Sequence, residues 1–487
     1  MLAARHRKVR FAAVVLLATF TVAGAQDRAA VISRARTLVD QGRFREAEKL
    51  LRKHIAEPEG PVDEPLEIEL EIIRRIRLDF AQRPDELLRR LRRRIPDVTS
   101  ADLERWRRAG VLQYRVIDGQ IRYFHAEPGN LLRCCPQARR RVSSSQPARS
   151  SAGFDLPAHL AELLREARAS GRTLVHPVRH RIRYELRVKP GNPRLRPGAR
   201  VRCWLPFPQQ YRQQQDVRLL RTEPPGGRVA EDDCPQRTVY FETTLGPQAP
   251  PPRFAAVFEF TTYAYVPQLD PAAVKPYDTG SALYRTCTAE RPPHIVFSPE
   301  LRRQAREIVG DETNPLLKAR RIFRWVSENI PWCSEMEYST IRSLSQKALA
   351  ARRGDCGVQG MLFITLCRAA GVPARWQSGW QTLPGRWNMH DWSEFYVEPW
   401  GWLPADASYG LQDHPDRAVQ EFYCGHLDPY RLIVNLDYAR ELCPPKISFR
   451  SEPNDFQRGE IEIDGHNLYF NEWSWDLQLE YLPGARP

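Results

Sequence analysis

At 487 residues the chain exceeds what one ordinary hydrophobic core supports, so several domains are expected. With 42% hydrophobic and 10% aromatic residues, most of it can bury enough apolar surface to fold, which excludes wholesale disorder. The formal net charge of +14 favours weak attraction to anionic surfaces, but much of the excess is Arg in runs such as Leu88–Arg94, which read first as solvated helix faces. No zinc-finger, RRM-like or P-loop pattern occurs, so nucleic acid, a metal and a cofactor are not expected as partners.

The chain opens with the layout of a secretory signal: basic Arg5, Arg7, Lys8 and Arg10, an apolar run from Phe11, then Ala23-Gly24-Ala25 as an A-x-A cleavage site. That run is well short of the ~20 residues a spanning helix needs, and no later stretch is long and apolar enough to span. Residues 1–25 are therefore expected to be removed near Ala25, leaving a soluble periplasmic or secreted protein. Residues 27–98 read as a helical domain, with Ala35, Leu38, Phe44, Ala47, Leu50 and Leu51 at near-helical spacing around a turn at Gly42. This hairpin looks like half of a tetratricopeptide unit, but for a single match a packing hairpin is the preferred reading.

From Thr99 the pattern changes. Thr99-x-x-Asp102 is a capping-box-like start for a short helix, and Tyr114–Ile117 and Arg122–Phe124 are strand-like runs joined through Asp118-Gly119. The spacing predicts a small winged-helix-like module over 99–135, structural or binding in role. Residues 136–155, with Arg139-Arg140-Arg141 and Ser143-Ser144-Ser145, read as a linker. A β-sandwich is expected over about 176–275, because Ile182, Tyr184, Leu186 and Val188 alternate with polar residues and further strand candidates follow between Pro- and Gly-rich turns. Helical period returns at Ser298-Pro299 and at Asn314-Pro315, where Leu316, Ala319, Phe323, Val326 and Ile330 form one apolar stripe. Mixed α+β structure is expected over 290–445, and Asp464-Gly465 predicts a closing hairpin in a C-terminal extension over 446–487.

The chemistry concentrates in that α+β stretch. Arg353-Gly354-Asp355-Cys356-Gly357 precedes an apolar helical run that stops at Gly371, so Cys356 falls at the start of a helix. Unpaired N–H groups and the positive end of the helix dipole would there stabilise thiolate over thiol, and could bind a developing oxyanion. Two strand-like runs follow, joined by a turn at Pro399-Trp400-Gly401, with His390 on the first and Asp406 at the end of the second. In an antiparallel pair these fall near each other. Helix Cys, strand His and strand Asp make a nucleophile, base and orienter.

Gly-Asp-Cys before a helix, His390-x-Trp392-x-Glu394-Phe395 and Trp402-x-x-x-Asp406 resemble the transglutaminase-like superfamily, over about residues 290–445. The resemblance implies a papain-like transglutaminase core, giving an α+β protein whose core is preceded by a β-sandwich and an N-terminal helical region. It assigns Cys356 as nucleophile, His390 as general base and acid, and Asp406 as the histidine's partner, acting on peptide or protein amides through a thioester. Water as acceptor would give a peptidase or amidase, and an amine would give acyl transfer. Cell-wall peptide stems are one substrate class compatible with export and basic charge. Trp332 is an oxyanion-donor candidate, as a Trp is in some relatives, with core packing as the alternative. Trp392, Trp400 and Trp402 read as core aromatics, Glu394 as an ion-pair partner, and His426 and Asp428 as structural or cleft-lining. Of ten Cys, some can form disulfides outside the cytoplasm, but no connectivity can be read. The competing class is a non-catalytic binding or assembly protein on the same scaffold.

Overall fold

A computed structural model describes residues 27–55, 64–143 and 153–483; the predicted signal segment lies outside them. The chain divides into two compact units, Met1–Ser144 and Ser145–Pro487.

In the first unit the helices 27–40, Phe44–Ile55, Glu64–Asp79 and Pro84–Arg92 precede the Ser100–Arg108 helix. That last helix is capped as its sequence predicts: Thr99 Oγ1 accepts from the Asp102 amide at 3.3 Å, and Asp102 Oδ2 accepts from the Thr99 amide at 2.9 Å. The antiparallel hairpin Tyr114–Ile117 and Gln120–Tyr123 turns at Asp118-Gly119, where φ is 49° and 81°. Leu87 and Leu91 share one core with Leu103, Trp106, Tyr123 and Leu131, so packing runs straight across the expected boundary at 98/99. Residues Pro136–Arg140 are helical where a linker was expected. Ala138 is buried, and Arg141 ion-pairs with Asp102 at 2.9 Å. One small apolar residue and a paired Arg anchor this turn, too little pattern to stand out in a basic stretch.

The second unit opens with a helix, Leu156–Ser170, that the reading of the sequence left unassigned. Asp155 caps it by accepting from the Ala158 amide, and Leu160, Leu163, Leu164 and Ala167 are its buried face. Two antiparallel sheets then pack face to face as a β-sandwich. One runs in the order His466–Leu468, Glu460–Ile463, Arg200–Pro206, Thr238–Thr244, Arg228–Val229; the other Trp473–Leu482, Leu174–Val188, Arg253–Tyr265, Gln214–Glu223. The alternating Ile182, Tyr184, Leu186 and Val188 are all buried between them with Phe258, Cys203 and Ile461. The hairpin at Asp464-Gly465 forms as predicted, but the tail is no appendage: its strands complete both sheets. A disulfide joins Cys234 to Cys443.

A third antiparallel sheet has the order Gly401–Ala405, Arg386–Val397, Ala374–Leu383, Arg431–Asn435. The helices Pro299–Val309, Pro315–Asn329, Leu344–Ala351 and Cys356–Ala369 share a core with it, and Trp380, Leu432 and Val434 enter the sandwich core instead. The stripe Leu316, Ala319, Phe323, Val326 and Ile330 is fully buried. Gly379 is required where the sheet closes on Arg431–Asn435, since a Cβ there would lie 1.9 Å from the Leu432 carbonyl oxygen.

Candidate active site

Cys356 is the first residue of its helix, and Asp355 is the cap, accepting from the Val358 amide at 3.2 Å. Its neighbour Gly357 packs against Tyr338, whose hydroxyl accepts from the Gly357 amide at 3.1 Å. A Cβ at residue 357 would fall 2.2 Å from that oxygen, so only glycine admits it. The half-buried thiol opens into a cleft of about 210 Å³ whose walls include Trp332, Tyr338, Met389, Asp455 and Trp475.

His390 lies inside the Arg386–Val397 strand, paired across to Gly379. The neighbouring strand runs antiparallel, with Ser393 opposite Ala405, and so carries Asp406 to the histidine. His390 Nε2 and Asp406 Oδ2 are 2.7 Å apart, both buried. Asp406 also accepts from the Ser408 and Tyr409 amides and ion-pairs with Arg431 Nη1 at 3.1 Å. Burial opposes the Asp406 charge, but His390 and Arg431 hold the carboxyl down at about 2. Burial lowers the basicity of His390, and Asp406 pulls it the other way.

The thiol itself makes a different contact. Cys356 Sγ donates to Asp391 Oδ2 at 3.4 Å, and among the described residues its side-chain hydrogen bond goes there and not to the imidazole. Burial, then the charges of Asp391 and Asp355, push the thiol well above its ordinary range. This is the reverse of the thiolate stabilisation that a helix start implies. The reason is local: burial disfavours the thiolate, the Gly357 and Val358 amides are occupied by Tyr338 and Asp355, and the Asp391 carboxyl meets the sulfur at 3.4 Å.

Among the other expected residues, Trp332 is 37% exposed and lines the cleft, so it is not a core aromatic. Its backbone bridges to Gly354, two residues before Cys356. Trp392 is buried and donates to Gln377 at 2.6 Å. Trp400 and Trp402 are half-buried, not core: Trp400 donates to the Gln268 carbonyl, and Arg375 lies 4.1 Å over Trp402. Glu394 ion-pairs with Arg375 at 2.7 Å. Asp428 pairs with Arg431 at 3.0 Å, behind Asp406, whereas His426 lines a separate cavity. Tyr338, Asp391, Asp455 and Gln457 were not singled out from sequence. Only Asp391 had a signal within reach, its place directly after His390.

The sequence model of the transglutaminase-like superfamily matches residues 302–407. A Haemophilus influenzae protein described as uncharacterized is 26% identical over 187 residues, covering 31% of this chain and 49% of that protein. The chain thus spans about half the length of that curated relative. Among solved structures it is similar to a candidate cysteine protease from Cytophaga hutchinsonii, at 16% identity and a TM-score of 0.43 over 64% of this chain and 93% of that one. It is also similar to the periplasmic domain of TgpA from Pseudomonas aeruginosa, at 14% identity and a TM-score of 0.24 over 53% and 94%. The family match identifies residues 302–407 of this chain as a transglutaminase-like domain.

Proposed function

We propose that the protein is an exported thiol enzyme that attacks peptide or protein amides through Cys356, His390 and Asp406. The observation that carries this reading is a half-buried cysteine at a helix start whose thiol contacts Asp391, the residue directly after a histidine held at 2.7 Å by a buried carboxylate. His390 takes the thiol proton as Sγ bonds to the amide carbonyl carbon. The tetrahedral adduct then breaks its C–N bond, the imidazolium protonates the departing amine, and a thioester remains. Water or an amine, deprotonated by His390, displaces Cys356 and returns the proton to sulfur. Asp406 fixes the imidazole so that Nδ1 is left for these transfers. Trp332, exposed at the mouth of the cleft, is the candidate donor to the oxyanion.

Export is favoured by the N-terminal signal layout and by the Cys234–Cys443 disulfide, a bond suited to oxidising compartments. Among the described residues no helix is long and apolar enough to cross a membrane. Cell-wall peptide stems remain the substrate class to screen first. The test is acylation: mature protein mixed with amide-bearing peptides should gain a thioester mass on Cys356, and Cys356→Ala should abolish it with little change in melting temperature. A second reading, a non-catalytic binding scaffold, is favoured by the thiol's contact with Asp391 in place of the imidazole. It predicts no acylation with any amide, and a melting temperature lowered by many degrees in Cys356→Ala.

A further inference from the structure

The neighbouring side chains of His390 and Asp391 have different partners. His390 turns to Asp406. Asp391 turns to the cysteine helix, as does Ser393, which donates to the Gly360 carbonyl at 3.1 Å.

The surroundings of Asp391 leave one donor to be supplied. Its Oδ1 accepts from Gln457 Nε2 at 2.6 Å. Its Oδ2 is 3.0 Å from the Tyr338 hydroxyl and 3.4 Å from Cys356 Sγ. The same hydroxyl is 2.8 Å from Asp355 Oδ1. One O–H proton cannot serve two carboxylates, so when Tyr338 donates to Asp355 the thiol is the donor that Asp391 Oδ2 retains. On its other side Asp391 meets the charge of Asp455, and burial pushes both carboxyls up. The nucleophile therefore touches a carboxyl whose neutral form is favoured by burial.

We propose that Asp391 is a further residue of the reacting centre: as a carboxylate it holds Cys356 as a resting thiol, and as a neutral acid it releases the sulfur to His390 and donates to the thiolate. Asp391 becomes the neutral acid by taking up one proton from solvent. The thiol proton passes to His390, whose partner Asp406 stays charged, and the Asp391 O–H donates to sulfur. Burial and the nearby Asp355 charge raise Asp391 to about 7, so both of its forms are accessible near neutrality.

The inference rests on Cys356 being the nucleophile, and its test separates the two ideas. The rate of iodoacetamide modification of Cys356 is followed against pH by peptide mass spectrometry in full-length mature wild type, Asp391→Asn and His390→Ala. Asp391→Asn should move the midpoint at least about one pH unit lower and raise the rate at pH 7 on the order of tenfold. The wild-type curve should need two ionisations. A wild-type curve with one ionisation, or a folded Asp391→Asn or Asp391→Ser protein with the wild-type profile, overturns the role of Asp391. If instead His390→Ala keeps the wild-type profile, the pairing of Cys356 with His390 fails, whatever the Asp391 variants do.

Discussion

Asp406 serves two buried partners at once, His390 at 2.7 Å and Arg431 at 3.1 Å. Replacing it by Asn keeps the shape but removes the charge both partners use. Acylation of Cys356 by an amide substrate should fall by on the order of 10³–10⁴, the loss expected when an orienting carboxylate no longer fixes its histidine. Stability should also drop, by about 3 kcal/mol, because a buried Arg loses one of its counter-charges; urea unfolding at fixed pH measures this. Because Asp406 is held down at about 2 from an ordinary 3.8, its contribution is present above the unfolded value and lost as pH falls through the folded one. Gly357→Ala should cost about 1–3 kcal/mol by overpacking, since its Cβ would meet the Tyr338 hydroxyl at 2.2 Å; thermal melts compared with Cys356→Ala check it. The residues that form these contacts were unequally legible. Cys356, His390 and Asp406 stand in a motif with fixed chemistry, and the pairing of the last two followed from strand order alone. Tyr338 sits in a short 3-10 turn without period, and Asp455 and Gln457 come from a tail segment far along the chain. Contacts of that kind have no local signature.

At the level of elements, the cysteine helix depends on an unusual cap. Asp355 accepts from the Val358 amide as an N-cap should, yet burial raises its carboxyl to about 6. Asp391, one strand away, is raised to about 7. A carboxyl whose folded pKa lies above its unfolded value supplies its full stability in acid and loses it as pH rises from the unfolded value through the folded one. Stability of the larger unit should therefore decline between about pH 4 and pH 7, and Asp391→Asn should flatten that decline; melting temperature recorded across this window decides it. Asp355→Ala should cost most in acid, by about 1 kcal/mol for the lost cap, and less above pH 7. The capping signals at Thr99, Ser298 and Asn314 were readable because a side chain and the amides it serves lie within three residues. The sandwich strands were readable where one face is buried, as at Ile182–Val188. Gln214–Glu223 escaped notice: it is an edge strand with two register shifts, so its alternation is broken.

The division of the chain into units also shows what sequence order conceals. Residues 446–487 read as an addition to a finished domain, yet Glu460–Ile463 pairs with Arg200–Pro206, and Trp473–Leu482 pairs with Leu174–Val188 across ten residue pairs. The sandwich is therefore closed by the last part of the chain after the transglutaminase-like segment has been made. The Cys234–Cys443 disulfide spans a sequence separation of 209, and a loop of that length removes about 5 kcal/mol of unfolded-state entropy in the chain-entropy account. Two variants separate these contributions. Replacing both cysteines by Ala should lower the stability of the larger unit by a few kcal/mol, ~5 at most, while the rate at which iodoacetamide modifies Cys356 stays as in wild type, because neither sulfur lines the cleft. Ending the chain after Pro445 should be far more severe. It removes three sandwich strands and with them Asp455, Gln457 and Trp475 from the wall of the cysteine cleft, so the shortened protein should expose Cys356 to rapid, pH-independent modification or fail to fold. A stable, monodisperse 1–445 chain with the wild-type alkylation profile would mean that the closing strands are dispensable and that the cleft is complete without them.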